Sequence, residues 1–408
     1  MATNEQSDRI ATDVVVVGAG IVGLVAAWRL AERGLDVVVV DRGAPGREAS
    51  WVGAGMLAPA TEAQFGEEEL LALTLAGNAC WDSFAAELEA TSGLPAGLRR
   101  CGTLHLALDR DEVEALRRLH RFQDDAGLPV EWLTPSRARE LEPGLAPACA
   151  GGILSPHEGE VDPRQTCAAL LRACERAGVH MLAGDEVVEA LLEGDGRGDG
   201  DGRGDGGAIR GDGGGRSNGG AIRGVVTASG TRIDAGHVVL ATGAWGAPWL
   251  PAAARPPVRP VKGQIVNLSH PDGERIAEHN VWTPTIYVVT RADGRVCVGG
   301  TVEERGFDTT VTAGAVHELL REAYRVLPDI AELDFVEAIA GLRPGSPDNM
   351  PLLGHGALGG LIVATGHFRN GILLAPITGD VVAALVAGEE PPVPIARFAP
   401  GQIGRAHV

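Results

Sequence analysis

The sequence predicts an α/β (α+β) fold in which a Rossmann-like, dinucleotide-binding domain carries an inserted, mostly antiparallel β-sheet domain. Three observations predict it. A β-branched run, Val14–Val17, leads into "GAGIVG" and an apolar helix, and a second run, Val37–Val40, follows. The same strand-then-glycine logic returns at "HVVLATGAWG" (237–246) and "GLIVAT" (360–365). Between these lie segments of alternating polarity that read as antiparallel strands.

Each element has its own warrant. Val14–Val17 is continuously apolar, as a parallel strand buried on both faces requires. The helix after it runs from about Ile21 to Arg33, and Gly34 ends it at the left-handed C′ position. Val37–Val40 is closed by Asp41, which completes a β-α-β start. Residues from Glu67 to about Ala90 read as helical, and "CGTLHLAL" (101–108) alternates as a strand. Asp111–Ala126 is a charged amphipathic helix. "ILSPHEGEVDP" (153–163) reads as a loop feeding a helix over 164–177. "VHML", "EVVEALLE" and "GVVTAS" are short strands. Segments 259–268, 285–290 and 295–301 are antiparallel strands, and Ala313–Leu327 is a helix. In "ATGHFRNGILLAPITG" (364–379) a helix starts at Asn370 with Ile372, Leu373, Leu374 and Ile377 on its core side.

Parallel strands at both chain ends with antiparallel material between them imply a discontinuous arrangement. The nucleotide-binding domain takes 10–95, 152–250 and 336–390; the substrate-binding domain takes 96–151 and 251–335. Segment 193–224 is nearly all Gly, Asp and Arg, and "GGAIRG" occurs in it twice. Such a composition cannot bury enough apolar area to offset the entropy of ordering, so a disordered excursion between two hairpin strands is expected. The apolar residue of a calcium-binding nonapeptide repeat is missing from it.

The chain has 408 residues, too many for one ordinary core, and 45% of them are hydrophobic. A net charge of −19 argues against a nucleic-acid-binding surface and against anionic membranes. Any bound anion must be held by a few local arginines. None of the six cysteines forms a C-x-x-C pair, and zinc-ligand spacing is absent. They read as buried thiols of a reduced cytosolic protein, with Cys167 and Cys174 on one helix face. The polar N-terminus lacks a basic segment, and the apolar run from Val14 to Trp28 is short and broken by glycines. No signal peptide or membrane span is expected, and a cytoplasmic location is.

Gly18, Gly20 and Gly23 form G-x-G-x-x-G between strand and helix, with Asp41 at the end of the next strand. The glycines let backbone approach a pyrophosphate at the helix N-terminus, and the acid suits ribose hydroxyls. This context signals a dinucleotide without separating NAD from FAD. "GREASWVGAGML" (46–57) is either a site where backbone lies close to a flat ring or a plain small-residue turn. Arg343 in "AGLRPG" and Arg369 in "GHFRNG" sit in glycine-flanked segments, suited to bidentate carboxylate recognition or to ordinary salt bridges. Tyr287 is strand packing or a pocket hydroxyl. His367 reads as a hydrogen-bonding loop histidine. No triad or carboxylate pair stands out.

"VVVVGAGIVGLVAAWRLAERGLDVVVVDRGAPGREASWVGAGMLAP", "VDPRQ", "VVLATGAW", "RPVKGQ", "GLRPGSPDNMPLLG" and "GHFRNGILLAPITG" occur in that order. With them the chain resembles the glycine oxidases of the thiamine pathway, in the D-amino-acid oxidase and sarcosine oxidase superfamily of flavoproteins. The resemblance spans nearly everything except the first dozen residues, the 193–224 segment and the C-terminal tail. It implies non-covalent FAD. Gly18, Ala19, Gly20, Ile21, Val22 and Gly23 would hold its pyrophosphate, and Asp41 its ribose, with Arg42 and Gly243 also at the cofactor. Ala49, Ser50, Ala54, Gly55 and Met56 would lie along the flavin, and Val187 on the adenine side. His367, Phe368, Arg369, Asn370, Gly371, Ile372 and Leu373 would cap the pyrimidine end, the helix N-terminus at Asn370 facing the ring atoms that gain negative charge on reduction.

Arg343 would pair with the substrate carboxylate, Tyr287 would line the pocket, and Arg369 would reach into it. The implied reaction is oxidative deamination of glycine, or of small amines and D-amino acids, by O2. Products are glyoxylate (via the imine), ammonia and peroxide, or an imine passed on for thiazole formation. No side chain would serve as acid or base, solvent taking the amine proton. The resemblance further implies a homotetramer. Alternatives are a sarcosine or D-amino-acid oxidase, a dehydrogenase of the same superfamily, or a non-catalytic dinucleotide-binding protein. Thr290, Gly300 and Val302 depart from the family's Pro, Ala and Met near the pocket, and Asp41 stands where Glu is common.

Overall fold

The computed structural model describes residues 9–193 and 220–402. The strand Arg9–Val17 lies at the centre of the first sheet. It runs parallel to Val37–Asp41 on one side and to Arg232–Leu240 on the other, with Val14–Val17 opposite Val37–Val40 and His237–Leu240. His180–Ala183 adds a parallel edge strand beyond Val37–Asp41, and Leu361–Thr365 pairs in parallel with the end of Arg232–Leu240. The parallel sheet is thus assembled from the N-terminus, the middle and the C-terminus, as the sequence implies. An antiparallel ribbon, Val187–Leu192 with Ile222–Thr227, extends it from the front half of Arg232–Leu240.

Valines 14–17 and 37–40 are all at least 94% buried, each burial worth about 1.5–3 kcal/mol. Helices Ile21–Glu32, Pro163–Arg176, Glu68–Ser92 and Ala375–Ala387 build one core against this sheet. Trp28, Trp81 and Phe84 meet edge-on within it. The Trp81 indole donates to the Leu373 carbonyl at 3.0 Å, which ties that helix layer to the segment before Ala375.

The second sheet is mostly antiparallel, in the order 334–345, 259–269, 295–299, 287–290, 280–282, 103–107, 151–155, 131–133. Helix Ala313–Val326 packs on it. A small sheet of Met56–Leu57, Gly159–Val161 and Leu98–Arg99 lies between the two. Buried Glu160 on its central strand pairs with both Arg99 and Arg291.

Three sequence expectations change. The loop expected over 153–163 contains strands Gly151–Ser155 and Gly159–Val161. Their short length and paired glycines hide the alternation: a Cβ on Gly152 would lie 2.6 Å from the His105 carbonyl. The boundaries at 152 and 336 cut through strands of the second sheet, because Asp334–Gly345 pairs along its length with Arg259–Ser269. The helix expected from Asn370 begins at Ala375; Phe368–Asn370 is a 3-10 turn, continued by a Leu374 N–H to Asn370 carbonyl bond.

The 193–224 segment falls largely outside the described residues. The ribbon closes at its base through the Glu193 N–H to Ala221 carbonyl bond of 2.8 Å. Cys149, Cys167, Cys174 and Cys297 are buried thiols. Among the described residues no helix is long and apolar enough to cross a membrane.

Candidate functional site

The glycine turn is shaped by what a side chain would strike. Gly18 has φ +106°, and a Cβ there would lie 2.3 Å from the Ala241 carbonyl. A Cβ on Gly23 would lie 1.9 Å from the Gly18 carbonyl, so Gly23 lets helix and strand approach. Gly20 differs: its missing side chain would meet only the Ser50 hydroxyl at 3.4 Å, and its face is open.

Asp41 fixes the turn by accepting from the Ala19 N–H at 2.6 Å and the Gly43 N–H at 2.8 Å. Ser50 accepts from the Ile21 N–H at 2.9 Å. The Gly20 and Val22 amides have no acceptor among the described residues. Open space over Gly20, unpartnered amides and a helix N-terminus form a cradle for a pyrophosphate. These residues fit FAD.

That turn lies at one end of a cavity of about 1040 Å³, large enough for a dinucleotide together with a small substrate. Of the residues named from the sequence, the cavity is lined by Gly18, Ala19, Gly20, Ile21, Val22, Asp41, Arg42, Ala49, Ser50, Ala54, Gly55, Met56, Val187, Gly243, Tyr287, Arg343, His367, Phe368, Arg369, Gly371 and Ile372. Gly23, Asn370 and Leu373 do not line it. Gly23 is consumed by helix packing, Asn370 is buried, and Leu373 points into the core of the first sheet. Of the three departures noted around the pocket, Gly300 and Val302 line the cavity, whereas Thr290 is buried in its strand.

The far end is built on the second sheet. Tyr287 stands directly opposite Gly299, and its ring crosses that glycine: a Cβ there would lie 2.3 Å from the ring and hydroxyl. Arg343 crosses Gly263 in the same way, with Nη1 2.3 Å from the position of a Cβ. It donates to the Thr301 carbonyl at 2.9 Å. No carboxylate among the described residues lies within ion-pair distance of Arg343. Burial pushes the Tyr287 phenol well above its ordinary value, so it stays neutral.

Arg369 is placed differently from expectation. It reaches the cavity wall, but its guanidinium is held by Glu62 at 2.6 Å and Glu67 at 3.5 Å, and it donates to the Glu62 carbonyl at 3.1 Å. Its charge is already countered, whereas Arg343 has no acidic partner among the described residues; of the other lining arginines, Arg42 pairs with Glu48 and Arg47 stacks on Trp51, both just after the second strand of the nucleotide sheet. His367 is buried, pairs with the Thr378 hydroxyl at 3.1 Å, and is pushed down to about 4 by burial. It is a neutral hydrogen-bonding histidine.

Sequence reading missed several lining residues. Trp245 carries the Arg42 guanidinium 3.9 Å from its ring centroid, and the Phe307 ring centroid lies 6.1 Å away. Trp282 packs beside Tyr287 at 5.7 Å. Glu62 follows the small-residue stretch that ends at Met56, but an acid in a loop carries no periodic signal.

The model of the FAD dependent oxidoreductase family matches residues 13–385. The glycine oxidase of Geobacillus kaustophilus is 34% identical over 393 residues, covering 95% of this chain and 96% of that one. A crystal structure of glycine oxidase from the same organism superposes with a TM-score of 0.83 at 33% identity, over 96% of this chain and 98% of that one. The bifunctional protein ThiO/ThiG of Trichormus variabilis is 32% identical over 381 residues; the match covers 93% of this chain but only 53% of that longer protein.

Proposed function

The chain belongs to the FAD-dependent oxidoreductase family, and from that premise we propose that it oxidises glycine, or a comparably small amino acid, with O2 as acceptor. The observation that carries this reading is Arg343: a cation on the cavity floor beside Tyr287, with no acidic partner among the described residues, in the same cavity as the FAD cradle.

FAD, held non-covalently by the turn over residues 18–22 and by Asp41 and Ser50, would supply two-electron redox chemistry at the amine-bearing carbon, with O2 as the final acceptor. The protein's part is positioning. The Arg343 guanidinium fixes the carboxylate plane through two parallel hydrogen bonds. The neutral Tyr287 hydroxyl lies 3.0 Å from the point where a Gly300 side chain would begin, and Arg343 Nη2 3.3 Å from it. The two groups thus border one small space, which favours a substrate with little or no side chain. Glycine, water and O2 would give glyoxylate, ammonia and peroxide. Similarity to ThiO/ThiG supports a role in supplying the imine for thiazole formation.

The test is peroxide release by purified holoprotein with glycine, sarcosine, D-alanine and D-proline. Glycine giving the highest kcat/KM supports the proposal. Preference for sarcosine or D-proline points to a secondary-amine oxidase. Flavin reduction without peroxide points to a dehydrogenase.

A further inference from the structure

We propose that Glu62 binds the substrate ammonium and accepts its proton. This rests on the amino-acid reading of the cavity and adds to it the base that reading lacks. An α-amino acid arrives as a zwitterion. Arg343 matches its carboxylate, and its ammonium requires an anion nearby. The acids lining the cavity are Asp41, Glu48, Glu62, Asp185 and Glu186. Asp41 and Glu48 follow the second strand of the nucleotide sheet, and Asp185 and Glu186 precede Val187, so these four belong to the cofactor end. Glu62 is the lining acid whose charge interacts with Arg343.

The loop that carries it is held firmly. The Ala60 and Thr61 amides donate to Glu158 Oε1 at 2.7 and 2.8 Å, and the Thr61 hydroxyl donates to Oε2 at 2.7 Å. Gln123 donates to the Ala60 carbonyl at 2.7 Å. These bonds fix the backbone just before Glu62, and the 2.6 Å contact with Arg369 holds its side chain at the cavity wall. Glu62 Oε2 lies 2.6 Å from Arg369 Nε without an aligned hydrogen bond, and neither carboxylate oxygen accepts a hydrogen bond among the described residues.

The step is a proton transfer alone. One N–H bond of the ammonium breaks and one O–H bond forms on Glu62, leaving a neutral amine and a neutral carboxyl. The amine lone pair is then available to form the C=N bond as Cα–H departs. The groups facing Glu62 are Arg369, Arg343, Glu67 and Tyr287. Burial raises the Glu62 carboxyl, the two arginines oppose that rise, and Glu67 adds to it. The net upward direction makes Glu62 a better proton acceptor than an exposed carboxylate.

The experiment compares wild-type holoenzyme with Glu62→Gln, which keeps the side-chain shape. Anaerobic flavin reduction by glycine is followed by stopped flow from neutral pH upward, and inhibition by acetate is measured alongside. Acetate has the carboxylate and no amine. The variant is expected to lose about 100-fold in reduction rate at neutral pH. It should recover about tenfold per pH unit as the free amine becomes abundant, a dependence shallower in the wild type. Acetate should bind as well or better, since a negative charge has gone. Glu62→Asp should be slower but keep the wild-type pH profile.

An unchanged pH profile in Glu62→Gln overturns the proposal. So does a loss equal at every pH and matched by weaker acetate binding, which would make Glu62 only a tether for Arg369. If glycine does not reduce even the wild type, the substrate reading fails, and the same comparison is made with the amine that does reduce it.

Discussion

Replacing Gly263 with alanine adds one methyl group to the cavity wall beneath Arg343 and should cripple turnover. The new Cβ would lie 2.3 Å from Arg343 Nη1 and 2.5 Å from both Cζ and Nη2. Ordinary van der Waals contact begins near 3.4 Å, so the guanidinium must retreat by roughly 1 Å. The Gly263 backbone is not in the left-handed region, and the group it meets is the end of a flexible side chain. The fold therefore yields cheaply, and the thermal midpoint should change little. The cost falls on alignment: a 1 Å misplacement of a positioning group can cost about 100-fold, or about 2.7 kcal/mol of barrier. The assay is anaerobic flavin reduction by glycine, with flavin content and melting temperature measured on the same preparation. A folded, flavin-loaded Gly263→Ala enzyme with wild-type reduction rates would refute the placement of Arg343 as the carboxylate anchor.

Arg343→Lys should retain flavin and lose about 30- to several-thousand-fold in kcat/KM, the consequence of losing roughly 2–5 kcal/mol from a paired charge in a closed pocket; near-normal kcat/KM with glycine would contradict it. His367 titrates near 4 in the folded protein against 6.5 ordinarily, so the unfolded chain binds the extra proton first as pH falls. Its contribution is intact above 6.5 and lost progressively down to about 4, by up to roughly 3 kcal/mol. The melting temperature of His367→Gln should accordingly fall less between neutral pH and pH about 5 than that of the wild type. Deleting residues 195–219 should leave flavin content and melting temperature nearly unchanged, because the ribbon base is already closed by the Glu193–Ala221 bond and loop entropy varies slowly with length; lost flavin would count against this.

What the sequence made legible follows from periodicity. Valine-rich runs located the parallel strands, and the G-x-G-x-x-G turn lies at the cavity wall, apart from Gly23, which serves packing. Contacts between distant segments were not legible. Nothing local to "RPVKGQ" says that Gly263 is the seat of Arg343, since the pairing of 259–269 with 334–345 creates that relation. Arg369 looked like a second carboxylate anchor because the segment that holds it is bracketed by Gly366 and Gly371. Its actual partner, Glu62, lies 307 residues away in sequence. The two short strands at 151–161 escaped because glycine carries no polarity to alternate.

The ribbon of Val187–Leu192 and Ile222–Thr227 touches the cavity at one end only. Val187 lines the cavity, while Leu192 lies about 17 Å further along at the usual rise per residue. Whatever the chain carries between Glu193 and Gly220 is thus attached to the far end of a paired ribbon whose near end lines the cavity. A fluorescent reporter grafted there would leave the chemistry undisturbed while remaining mechanically connected to the cavity, and its emission could report whether the flavin is in place.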